Sequence, residues 1–81
     1  MQNRRNALRT KVNMSAQLVT RDGGVVRTGQ LRDLSARGAK LVLPNSADLP
    51  EQVILHLPLD GVMWPCRIVR RQDGEVGVLF V

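Results

Sequence analysis

Val53-Ile54-Leu55-His56-Leu57-Pro58-Leu59-Asp60-Gly61-Val62-Met63-Trp64-Pro65-Cys66-Arg67-Ile68 holds two alternating runs around one turn signal. Val53, Leu55, Leu57 and Leu59 fall on one face, with Ile54 and His56 on the other. After Asp60-Gly61, the residues Val62, Trp64, Cys66 and Ile68 alternate with Met63, Pro65 and Arg67. A period of two is the mark of a strand with one buried face, and Asp-Gly between two such runs is a strong hairpin signal. This stretch therefore predicts two antiparallel strands.

The same reading extends in both directions. Downstream, Asp73-Gly74 leads into Val76, Val78 and Phe80. Upstream, Ala39, Leu41 and Leu43 alternate with Lys40 and Val42, and Pro44-Asn45-Ser46 ends that run. Asp22-Gly23-Gly24 separates a first strand, with Val12, Met14, Ala16 and Leu18 inward, from a second over about Val25 to Leu34. Six short strands at regular spacing predict an all-β fold. The expected form is a six-stranded antiparallel barrel, Greek-key and split, since closure removes exposed edges. Pro65 lacks a ladder donor and is expected at an edge or bulge. Ser46 to Gln52 could hold a helical turn, interrupted by Pro50.

At 81 residues the chain is read as one domain, with residues 1–11 a flexible basic arm and 12–81 the barrel. No apolar run approaches the roughly 20 residues needed to span a bilayer, and no secretory h-region follows the first arginines. The single cysteine, Cys66, suits a reducing compartment, and the reading is a soluble, cytoplasmic protein. One His and one Cys are too few for structural zinc, so no metal or cofactor is expected. Of the net charge of +5, Arg4, Arg5, Arg9 and Lys11 supply four charges with no acidic residue among them. Charge gathered in an arm suits a compact anion better than a polymer, which is usually met by a charged face.

Two motifs carry chemistry. The first is Arg4-Arg5-x-x-x-Arg9, whose guanidiniums can neutralise phosphates and stack on bases. The second is Asp33-x-Ser35-x-x-Gly38. Its carboxylate can accept from a guanine N–H edge, and its glycine permits close approach of a flat ring. With ten arginines in the chain, an i, i+4 pair arises by chance about once, and Arg67 and Arg71 form another, read as the solvated end of a strand. The Asp-x-Ser-x-x-Gly pattern has a chance expectation of about 0.015 in this composition. The loop is thus the stronger signal. Turn chemistry alone could also explain Asp33, Ser35 and Gly38, because Asp and Ser cap loops and Gly takes positive φ.

In order, spacing and strand pattern, the chain resembles the PilZ domain family, bacterial receptors for cyclic di-GMP, from about Arg4 to Val81. The resemblance rests on Arg4, Arg5 and Arg9, on Asp33, Ser35 and Gly38, and on the closing Gly77-Val78-Leu79-Phe80. It implies a six-stranded barrel whose arm folds over one face to clamp the nucleotide. It further implies that Arg5 and Arg9 bind phosphates and guanine O6/N7 edges. Arg4 would add a contact or stack on a base, favouring an intercalated ligand dimer. Asp33 would accept from guanine N1 and N2, Ser35 would bond a phosphate or exocyclic amine, and Gly38 would leave room for a base plane. The family often continues into a C-terminal helix. Here the sequence stops at Val81, so little or no such helix is expected.

The resulting expectation is a non-catalytic module that binds cyclic di-GMP and relays it to an unidentified downstream protein. A second reading is a degenerate PilZ-like domain that only binds a protein partner. A third, a small basic barrel on single-stranded RNA, lacks stacking platforms, because Trp64 and Phe80 fall on inward faces. No acid–base pair, metal set or activated nucleophile supports an enzyme. Of the remaining residues, Trp64 and Cys66 read as core, His56 as surface, and Arg70 as an exposed strand end able to stack on a base.

Overall fold

The computed structural model describes residues 10–24, 26–44 and 46–81. They form six strands: β1 (Thr10–Thr20), β2 (Val26–Leu34), β3 (Gly38–Val42), β4 (Gln52–Leu57), β5 (Val62–Gln72) and β6 (Glu75–Phe80). All pairings are antiparallel, and the strands close in the order β1-β2-β3-β6-β5-β4. Within this ring, β4 returns to lie beside β1 while β1, β2 and β3 are joined sequentially, which is the Greek-key arrangement. The hairpin of β5 and β6 fills the gap between β4 and β3. Each of these six strands has a neighbour on both sides over part of its length.

Alternation places the core. Ala16 and Leu18 of β1, Leu31 of β2, Leu41 of β3, Val53, Leu55 and Leu57 of β4, Cys66 and Ile68 of β5, and Val76 and Val78 of β6 are all buried. Leu43 and Leu49 join them from the β3–β4 connection. Burial pushes the Cys66 thiol above its usual range, and Sγ lies 3.3 Å from the Trp64 carbonyl. Three hairpin turns, β1–β2, β4–β5 and β5–β6, fall where Asp-Gly occurs. At the β5–β6 turn, Gly74 has φ of 73°, the left-handed region that glycine enters without a Cβ clash.

Several details differ from the sequence expectation. Leu59 was expected on the inward face of its strand but is 82% exposed, because β4 ends at Leu57 and the chain already turns through Asp60 and Gly61. Trp64 is half-buried rather than interior. It packs on Phe80 beside the core, with ring centroids 5.0 Å apart. Pro65 sits on neither an edge strand nor a bulge. It lies within β5 opposite the point where β6 ends, and its carbonyl accepts from Val81 N at 3.0 Å. A residue's N and C=O point to the same side of a strand, so the missing donor faces the end of the ladder. His56 is half-buried, with Nδ1 2.9 Å from Gln17 Oε1. Arg71, expected as a solvated strand end, instead donates to the Ser46 carbonyl and braces the connection after β3. Residues 46–51 form turns and bends, one turn closed by Leu49 N donating to Ser46 O at 3.1 Å, and no helix occurs among the described residues.

Candidate functional site

The Asp33–Gly38 segment is the connection between β2 and β3. Leu34 pairs with Ala39 and Asp33 with Lys40 across this hairpin. On the other side of β2, Lys11 of β1 is the register partner of Asp33. Asp33 follows Leu31 on the inward face of β2, so its carboxylate enters the barrel wall and is only 5% exposed. Lys11 Nζ lies 3.7 Å from Oδ1 and Lys40 Nζ 3.8 Å from Oδ2. Both contacts are ion pairs too long for hydrogen bonds. Oδ1 is buried and has no hydrogen-bond donor among the described residues. A buried carboxylate oxygen without a donor is costly, and such atoms call for an explanation.

Ser35 plays a different part. Its Oγ accepts from Arg37 N at 3.2 Å and Gly38 N at 3.3 Å, while its own N donates to the Gly38 carbonyl at 2.9 Å. The hydroxyl thus shapes the turn, as Ser does where backbone donors need a local acceptor. Gly38 is required by the neighbouring strand. A Cβ there would lie 2.1 Å from the Val78 carbonyl oxygen of β6, closer than any real contact. The three motif residues therefore divide their work: a free acceptor, a turn former, and a gap that lets β3 approach β6.

These residues open onto a cleft of about 320 Å³, near the lower end of the size range of ligand pockets. Asp33, Ser35 and Gly38 line one side, with Arg37 and Lys40; Val69, Arg70, Gly77 and Leu79 line the other. Arg70 reaches this wall because the β5–β6 register shifts between Ile68 and Arg70, which leaves Val69 as the extra residue. Arg70 pairs with Gly77, so no side chain rises opposite it. It is exposed and also part of the cleft wall. Arg4, Arg5 and Arg9 lie outside the described residues. Lys11, counted by sequence with the arm, is the second residue of β1.

Sequence reasoning did not single out Lys40 or Arg37. Lys40 was recoverable, since folding the hairpin about residues 35–38 sets it opposite Asp33. Among the described residues no group of His, Cys, Asp and Glu could hold a metal ion.

The model of the PilZ domain family matches residues 3–81. The chain belongs to the PilZ domain family. That family comprises regulatory cyclic di-GMP receptors, generally non-catalytic. The chain is also 32% identical over 78 residues to cellulose synthase 1 of Komagataeibacter xylinus and, equally, to that of Novacetimonas hansenii. The match takes in 91% of this chain but spans only 5% of either synthase. Among solved structures it resembles the PilZ domain of CeSA from a cellulose-synthesizing bacterium, with a TM-score of 0.77 and 27% identity. That match covers 91% of this chain and 80% of the other.

Proposed function

We propose that this PilZ domain binds cyclic di-GMP in the cleft between the Asp33–Gly38 turn and the β5–β6 hairpin, and relays binding to a partner protein in the cytoplasm. The observation that supports the reading best is the buried Asp33 carboxylate, whose Oδ1 has no donor among the described residues. A guanine offers N1–H and N2–H side by side, and a carboxylate can accept both. The exposed Lys11 side chain would swing away to admit them. Arg37, Lys40 and Arg70 border the same cleft and suit the phosphates. The cleft admits only part of a cyclic dinucleotide, so Arg4, Arg5 and Arg9 would close over the remainder.

Isothermal titration calorimetry with cyclic di-GMP tests this, at low and at high salt. Binding should weaken as salt rises, because screening reduces attraction between exposed charges. Arg5→Ala combined with Arg9→Ala should abolish measurable binding while leaving the thermal melt unchanged. Absence of heat at low salt, or full affinity in that double variant, rejects the reading.

A further inference from the structure

The barrel's outer surface holds an apolar row that the nucleotide cleft does not use. Register partners share a face, and the pairings Val26–Val19, Val19–Ile54 and Ile54–Pro65 run straight across β2, β1, β4 and β5. Val81, hydrogen-bonded to Pro65, extends the row to the end of β6. Val26 is 46% exposed and Val81 86%, with Val19 and Ile54 half-buried between neighbours. Two positions along each strand lies a parallel row, Arg21, Gln52, Arg67 and Leu79. The second row and the Ile54, Pro65 and Val81 end of the first border a trough of about 460 Å³, and Val19 and Val26 continue the apolar row beyond it.

The basic row is weakly satisfied. Arg21 donates to the neutral Gln52 Oε1 at 2.8 Å, and Arg67 Nε lies a loose 3.9 Å from the exposed Glu51. An apolar stripe flanked by guanidiniums lacking a close carboxylate fits an apolar partner that brings acids. At the row itself Val19 is paired on both sides, with Val26 and Ile54, and Ile54 with Val19 and Pro65, so a partner lying over it cannot bind by strand addition. It must dock through side chains. Four inter-strand steps make the row about 19 Å long, the length of about 13 helical residues. A second copy of this chain would set like charges against each other, because a two-fold contact brings the same surface from both sides.

We propose that the trough at Ile54 and Pro65, with the apolar row that continues from it through Val19 and Val26, docks an amphipathic helix of another protein, with acidic residues on the flank that meets Arg21 and Arg67. The proposal does not depend on nucleotide binding.

A phage-displayed library of amphipathic helices of about 13 residues, with a constant apolar face and random flanks, tests it against the full chain without nucleotide. The expected result is enrichment of helices with Asp and Glu on one flank. Their affinity should fall about tenfold or more in Ile54→Asp and in Arg21→Glu with Arg67→Glu, the scale of losing an interface anchor. Circular dichroism melts of both variants should match the parent, since all three residues point outward. Enrichment without acidic flanks, no enrichment, or binding indifferent to these substitutions overturns the proposal. So does a dimer in sedimentation velocity that Ile54→Asp dissociates, for then the occupant is a second copy.

Discussion

Two turns of this barrel start from the same residue type and use it in opposite ways. At the β1–β2 turn, Asp22 is exposed and its Oδ1 accepts from Thr20 Oγ1 at 2.7 Å and from Gly24 N at 2.8 Å. At the β2–β3 turn, Asp33 is buried and its Oδ1 accepts from none of the described residues. There, the local capping falls to Ser35 instead. The comparison separates a carboxylate that makes a turn from one that the turn holds in reserve. It also answers the bland reading of the Asp33-x-Ser35-x-x-Gly38 motif. Turn chemistry accounts for the serine and strand packing for the glycine, but neither accounts for the aspartate.

The glycines of the two turns offer the harshest test. Gly38→Ala drives a Cβ to 2.1 Å from a backbone oxygen of β6, and backbone cannot rotate away as a side chain can. We expect a loss of about 3 kcal/mol or more, at the upper end of overpacking costs. Gly23 has φ of 75° but nothing within 4 Å of its absent Cβ. Gly23→Ala therefore adds only left-handed strain, about 1 kcal/mol. Urea denaturation of both variants measures the difference. Equal losses would mean that β3 and β6 can separate at Gly38, and that this glycine is not held by packing.

Next in size is the effect on ligand. Asp33→Asn removes one acceptor for a guanine's two donors and supplies a competing N–H. Hydrogen bonds to charged groups contribute about 2 kcal/mol, so cyclic di-GMP affinity should fall about thirtyfold. Asp22→Asn should leave affinity unchanged. Calorimetry on the two variants, each with its melting curve, separates the roles. A parallel fall in both, or stability lost in Asp33→Asn with affinity intact, would erase the distinction between the two carboxylates.

How much of this was legible in the sequence depends on register. The strands and turns were, because Leu31, Leu41, Leu55 and Cys66 keep strict alternation between Gly-bearing turns. Asp33 was legible as a ligand or turn residue, and its inward place two residues after Leu31 emerges in the fold. Lys40 opposite it followed from hairpin symmetry. Lys11 did not: counting back from Asp22-Gly23 sets Val12 opposite Asp33, and only the irregularity between Lys11 and Met14 brings the lysine there. Arg70 was noticed as able to stack on a base, but its place on the cleft wall was not legible for the same reason, since it depends on the register shift past Ile68. Bulges move a side chain by one residue without altering local composition, so alternation cannot report them. Leu59 misled through its composition, an apolar residue in register with β4 but already past the strand's end.

The smallest expected effect lies in acid. Hydrogen bonds to the carboxylate, first from the Thr20 hydroxyl and then from Gly24 N, hold Asp22 below the usual carboxylate range. A group whose folded pKa is depressed contributes stability above its unfolded pKa, near 4, and loses it as pH falls through the folded value. In Asp22→Asn the amide oxygen keeps the turn's shape but cannot titrate. The variant should be slightly less stable than the parent at pH 7, and the gap should close as pH is lowered below about 4. Urea curves at pH 7 and at successive acidic steps follow it. A gap that persists through the acid range would show that the substitution damages the turn itself, and Asp22 would then no longer stand as the locally satisfied carboxylate against which Asp33 is judged.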